Sequence, residues 1–139
     1  MIVAALNGSD ADSDVTKTAC HISMGSSSKI TLVFVIEIPR KYPIDIELSQ
    51  MTSKAEETLT QMDKLCRKMK VKPRTVIVQA RSMGTAIVAH SREQTADVII
   101  MGVGKIASGS TPAISDDVAY VLENAACKVV TCKSPVTLF

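Results

Sequence analysis

Short runs of β-branched and aliphatic residues alternate along this chain with longer stretches in which apolar positions recur every three or four residues. The runs at 2–6, 31–37, 75–78, 98–101 and 128–132 are apolar nearly throughout. That is the pattern of parallel strands covered on both faces, not the strict alternation of a half-exposed sheet. Between them, Val15, Ala19 and Ile22 step by four and three from a start near Asp14, and Gly25 with Ser26, Ser27 and Ser28 closes the segment. Met51, Ala55, Leu59, Met62, Cys66 and Met69 form the single apolar stripe of a second helix, which reads as core packing. Lys64, Arg67, Lys68, Lys70 and Lys72 crowd its end, where cations suit the helix dipole, and Pro73 lies beyond. A third helix over about 85–95 carries Ile87 and Val88. A fourth starts at Ser115, a capping residue followed by Asp116 and Asp117 and then by Val118, Val121, Leu122 and Ala125. Strands alternating with helices predict an α/β domain with right-handed crossovers and a parallel sheet covered on both faces.

Composition narrows the function classes more than the fold. With 139 residues, one domain over 1–139 is expected, long enough to bury a core. Hydrophobic residues make up 46% and charged residues 22%, which argues against disorder. A net charge of +2 with only 3% aromatics lacks the basic, stacking face of a nucleic-acid binder. No apolar run approaches spanning length, and the first residues lack the basic start of an export signal, so a cytoplasmic protein is expected. Cys20, Cys66, Cys127 and Cys132 form no C-x-x-C pair and do not combine with His21 or His90 at ligand spacing, so no metal is expected. All four thiols read as reduced and structural, with burial the default for Cys127 and Cys132.

Catalytic groups are scarce. Cys20 and His21 are neighbours in sequence, but adjacent helical residues point about 100° apart. His90 reads as a surface or packing residue, and no nucleophile elbow or complete P-loop is present: Gly104-Lys105 is followed by Ile106. No catalytic residue is therefore assigned. Two loops leave strand ends with residues suited to a ligand, Asn7-Gly8-Ser9-Asp10 and Gly102-Val103-Gly104-Lys105. In an open α/β sheet such loops border the ligand crevice, and free backbone N–H groups there can cradle phosphate.

Three segments carry a family resemblance. The strand ending in Asn7-Gly8-Ser9-Asp10 resembles the V-A-x-D-G-S opening of universal stress protein (UspA-like) domains. Ala96-Asp97-Val98-Ile99-Ile100-Met101-Gly102 resembles their A-D-L-I-V-M-G segment, and the stretch from Val121 to Val129 their V-L-x-x-A-P-C-P-V ending. The resemblance implies a single five-stranded parallel sheet in the order 3-2-1-4-5, Rossmann-like and of the nucleotide-binding α-hydrolase type. It also implies a homodimer through the last strand, Lys128 to Cys132, and a stress-response role without enzymatic activity.

ATP-binding members resemble one another in G-x-x-G-x9-G-[ST]. Gly102 fits the first position here, whereas Lys105, Ser115 and Asp116 replace the rest. Gly109-Ser110 could stand in for the final pair only with a rearranged loop. Asp116 and Asp117 would face phosphate with carboxylates, and Asn7 stands where the family's nucleotide-contacting Asp would be. The expectation is a binding or regulatory module in which ATP binds weakly or not at all. The alternative is an ATP- or adenine-nucleotide-binding stress protein. Its site would comprise Asn7, Gly8, Ser9, Val35, Met101, Gly102, Gly104, Lys105 and Ser115.

A narrower similarity joins Ala80-Arg81-Ser82-Met83-Gly84-Thr85-Ala86-Ile87-Val88, the 38–48 stretch and Tyr120-Val121-Leu122 to universal-stress-like domains attached to amino-acid permeases. It implies either a domain cut away from its transporter, with the membrane domain as a partner, or a free-standing relative. The basic run from Lys64 to Arg74 would then face an anionic membrane, although a solvated helix end is the preferred reading.

Overall fold

The structure, a computed structural model, describes residues 1–103 and 115–133. Five strands, β1 (Ile2–Leu6), β2 (Ile30–Glu37), β3 (Arg74–Ala80), β4 (Val98–Val103) and β5 (Lys128–Lys133), form one sheet in the order β3-β2-β1-β4-β5. All neighbours are parallel, and Ile2 stands level with Ile30 on one side and Val98 on the other. Every strand therefore begins at one end of the molecule and finishes at the other. Four helices connect them: α1 (Asp12–Ser26), α2 (Ser49–Lys68), α3 (Met83–Glu93) and α4 (Asp116–Asn124).

Strand periodicity sorts the core into two layers. Ile2, Ala4 and Leu6 of β1 face α1 and α2 together with Leu32, Phe34 and Ile36, while Val3 and Ala5 face α3 and α4 together with Val33 and Val35. The apolar runs in β1, β2 and β4 are covered on both faces as their sequence predicts. β3 and β5 are the sheet edges and alternate between half-buried and exposed positions. Cys127 and Cys132 accordingly stand half-buried, not in the core, because each lies at or beside an edge strand with cover on one flank only.

The α2 stripe packs as its spacing demands: Ala55, Leu59 and Cys66 are buried, and Met51, Met62 and Met69 pack around them. Cys20 of α1 meets Cys66 of α2 with the sulfurs 3.5 Å apart, both thiols fully buried. Burial pushes the Cys66 thiol up to about 12. His21, next along α1, points outward to solvent. The connection from β2 to α2 lacks regular structure over 38–48 and is tied down by β3 and its end. The Arg81 guanidinium donates to the carbonyls of Ile38, Pro39 and Tyr42 at 3.3, 2.7 and 2.9 Å. The Gln79 amide donates to those of Ile44 and Ile46 at 2.8 and 2.9 Å. Two of the three stretches behind the narrower similarity are thus tied together through Arg81.

Candidate functional site

The chain runs outward from β1 through β2 to β3, then returns to add β4 on the other side of β1. The strand order reverses at β1, so the crevice beyond the carboxyl ends of β1 and β4 is the switch point of the sheet. Two adjoining clefts open there. One, of about 300 Å³, is lined by Asn7, Val35, Glu37, Met51, Lys54 and Met83, among others. The second, of about 210 Å³, is lined by Asn7, Ser9, Asp12, Met101, Gly102 and Ser115, among others. Asn7, Met83 and Asp117 border both, so the two form one continuous recess.

The loop after β1 is wound around a carboxylate. Asn7 N–H donates to Asp12 Oδ1 at 3.1 Å and Gly8 N–H to Asp12 Oδ2 at 2.8 Å. Gly8 holds φ +81, which a side chain would strain, and a Cβ there would lie 2.5 Å from Lys54 Cε. Lys54 therefore lies across the turn. The Asn7 side chain folds back to accept from Ser9 N–H at 3.0 Å, and Ser9 Oγ accepts from Ala11 N–H at 3.3 Å. Asp12 is only 4% exposed. Burial raises its carboxyl above the usual range, and the two N–H donors and nearby Lys54 only partly oppose this.

The start of α3 is held in the same manner, by carboxylates from elsewhere in the chain. Glu37, ending β2, accepts from Met83 N–H at 3.0 Å. Asp117 Oδ1 accepts from Gly84 N–H at 2.9 Å and from Ser82 Oγ at 3.3 Å. A Cβ on Gly84 would come within 3.1 Å of the Asp117 carbonyl oxygen, so the missing side chain lets α4 approach this closely. Ser115 caps α4 as its sequence predicts, its hydroxyl accepting from Val118 N–H at 3.3 Å. Of the two acids that the sequence places at the start of α4, Asp117 borders both clefts. Its carboxylate is engaged by the start of α3.

Of the residues the sequence assigns to the site, Asn7, Ser9, Met101, Gly102 and Ser115 line the recess, and Val35 borders its β2 side. Gly8 forms the turn beneath Lys54. Gly104, Lys105, Gly109 and Ser110 lie outside the described residues. Sequence reasoning missed Asp12, Glu37, Lys54 and Met83. Glu37 carried a readable signal, a lone acid closing an apolar strand at its ligand-facing end. The other three depend on how α1, α2 and α3 are packed.

Other chemistry is sparse. His90 is half-buried near the end of α3, at the opposite end from the recess, and burial lowers its pKa; its Nε2 lacks a partner among the described residues. Among the described residues no group of three or more His, Cys, Asp or Glu is placed to hold a metal ion. No described helix is long and apolar enough to cross a membrane. A larger, open hollow of about 680 Å³ between α2 and β3 lies along the sheet edge, away from the strand ends.

The family model described as the universal stress protein family matches residues 1–133. No curated protein is significantly similar in sequence. Solved structures that are similar include a universal stress protein from Archaeoglobus fulgidus, with 18% identity, TM-score 0.78 and coverage of 94% of this chain and 96% of that one. The universal stress protein from Archaeoglobus fulgidus in complex with dAMP has 18% identity and TM-score 0.73, covering 94% of each chain. A universal stress protein in complex with cAMP has 18% identity and TM-score 0.66, covering 94% of this chain and 93% of that one.

Proposed function

We propose that this chain, which belongs to the universal stress protein family, is a non-enzymatic binding or regulatory module whose recess disfavours polyphosphate. The observation that carries the reading is the occupancy of the backbone donors. The N–H groups of Asn7 and Gly8 hold Asp12, that of Met83 holds Glu37, and that of Gly84 holds Asp117. Free N–H groups at a turn or helix start are what a phosphate needs. Here an incoming phosphate would have to displace carboxylates and then remain beside them. Lys54 is the cation among the described lining residues.

Two similar proteins were solved with dAMP and cAMP, each bearing one phosphate, and this supports an adenine ligand of low charge over ATP. Val35, Ile36, Met51 and Met83 offer an aliphatic wall for a flat ring. Isothermal titration with magnesium and ATP is expected to give a dissociation constant weaker than about 100 μM. A constant of a few micromolar would overturn the reading.

Two further parts belong to the same proposal. A homodimer through β5 is supported by its place at the sheet edge, and light scattering of the purified chain tests it. Attachment to an amino-acid transporter is supported by the Arg81 ties, which join two of the three stretches similar to permease domains. The genomic reading frame tests that: it should continue into about a dozen apolar segments of spanning length.

A further inference from the structure

The net charge of +2 conceals two ends of opposite sign. At the end where the strands begin, Lys64, Arg67 and Lys68 close α2, and Lys70 and Lys72 follow it. Lys29, Arg74 and Lys128 stand at the starts of β2, β3 and β5, and Arg92 lies in the last turn of α3. All nine are exposed. The carboxylates at this end are Asp63, Glu93, Asp97 and Glu123. Two of these are already paired, Asp63 with Arg67 at 2.8 Å and Asp97 with the Met1 amine at 2.7 Å.

The opposite end reverses the balance. Asp10, Asp12 and Asp14 surround the start of α1, while Glu37, Asp45 and Glu47 follow β2. Glu56 and Glu57 lie in the first half of α2, and Asp116 and Asp117 begin α4. Against these ten stand Lys17, Arg40, Lys41, Lys54, Arg81 and Lys133.

α2 alone spans about 30 Å between the two ends. Charges are screened over about 8 Å at physiological ionic strength. A partner at one end therefore does not sense the other, and the overall near-neutrality is irrelevant to it. Helix dipoles account for the cations in the last turns of α2 and α3 but not for the rest of the basic end. α1 and α4 carry no basic residue in their last turns, and Lys29, Lys70, Lys72, Arg74 and Lys128 lie outside any helix.

An exposed apolar side chain belongs to the same end of the fold. Met24, in the last turns of α1, is 61% exposed. The contact between Cys20 and Cys66 brings α1 and α2 together, and Met24 and Lys70 each follow that contact by four residues. The described aromatic residues Phe34, Tyr42 and Tyr120 lie on none of these segments, so bases have nothing here to stack on. An end rich in exposed Lys and Arg that also carries an exposed apolar side chain fits a lipid headgroup layer over its acyl boundary.

We propose that the strand-start end of this protein docks on an anionic phospholipid surface, with Lys68, Lys70 and Lys72 among the headgroups and Met24 reaching below them. The inference is independent of what occupies the recess at the other end. The test is co-sedimentation of the full chain with phosphatidylcholine vesicles, with and without about 30% phosphatidylglycerol. Binding is expected only to the anionic vesicles, and it should weaken steeply as salt is raised.

Lys68→Glu with Lys72→Glu should reduce the partition constant by roughly thirty-fold or more, at about 1 kcal/mol for each basic residue. Arg40→Glu with Lys41→Glu makes the same net change at the other end and should leave binding within about two-fold of the parent. Met24→Ser should lower it several-fold without altering the salt dependence. Equal binding to neutral and anionic vesicles, no binding to either, or equal loss in the two charge variants would overturn the proposal. So would a duplex DNA or RNA oligonucleotide that binds more tightly than the vesicles and is lost in the Lys68, Lys72 variant. Circular dichroism of each variant confirms folding, and the salt dependence of the parent chain tests the proposal without any variant.

Discussion

Asp12→Ala removes the carboxylate around which the loop after β1 is wound, and the structure sets the size of the effect. Two backbone N–H groups lose charge-assisted bonds of 3.1 and 2.8 Å. Bonds to charged groups contribute about 1.5–3 kcal/mol each, which alone would suggest a loss of about 3–6 kcal/mol. Two effects reduce it. Asn7 is exposed and Gly8 partly so, and water can therefore reach the released donors. The variant is also spared the burial of a charge at a site only 4% exposed. The expected net loss is about 1–2 kcal/mol at pH 7, or about 3–8 °C in Tm.

The pH dependence has a definite sign. Burial raises the Asp12 carboxyl in the folded chain above its ordinary value of 3.8, so the folded state binds the proton more tightly than the unfolded one. This group's contribution to stability is fully present below the unfolded value and is lost as pH climbs through the raised folded value. The deficit of Asp12→Ala relative to the parent should therefore be larger in acid and shrink toward neutrality. Urea unfolding at a series of pH values measures both quantities. The same variant frees the Asn7 and Gly8 donors and should bind magnesium–ATP about ten-fold more tightly than the parent by titration calorimetry. A variant with parental stability, an unchanged pH profile and no gain in ATP affinity would refute the assignment of Asp12 as an internal anion.

Asp117→Ala should cost about 1 kcal/mol, the usual worth of a helix cap, since Gly84 N–H and Ser82 Oγ lose their shared acceptor; the midpoint of urea unfolding measures it. The thiols should divide by burial when the native protein is treated with a maleimide at pH 8. Cys127 and Cys132 should label first, while Cys20 and Cys66 wait for unfolding because they are fully buried and the Cys66 thiol stands at about 12. Peptide mass mapping over time reads the order.

How much was legible beforehand depended on whether the signal was local. β1 over Ile2–Leu6 and the Ser115 cap of α4 are written in consecutive residues, and the structure places both where the pattern does. Strand and helix ends differ by one or two residues: α3 starts at Met83, not near 85, because Glu37 and Asp117 cap it from a distance. The order 3-2-1-4-5 implied by the family resemblance places β3 and β5 at the edges, as observed, whereas their residue pattern overstates their burial, since Thr75 to Val78 is as β-branched as a central strand. The recess was half legible. The loop after β1 and the glycine closing β4 could be placed from strand ends, whereas Lys54 and Met83 enter through helix packing. The meeting of Cys20 with Cys66 had no signal, being a matter of how two helices lie side by side.

The ties from Arg81 and Gln79 bear on how freely the sequence between β2 and α2 can change. Their acceptors are the main-chain carbonyls of Ile38, Pro39, Tyr42, Ile44 and Ile46. A carbonyl is present whatever the side chain, so two residues outside the connection hold its route at five points, beside the anchoring of Ile38, Tyr42, Ile46 and Leu48 on the core. Exposed positions such as Arg40, Lys41 and Asp45 can be exchanged while the path of the connection stays the same. Changing Arg81 alone would release three carbonyls at once and let the path drift with every side chain in place. Information about shape and information about surface chemistry are thus stored in different parts of the chain.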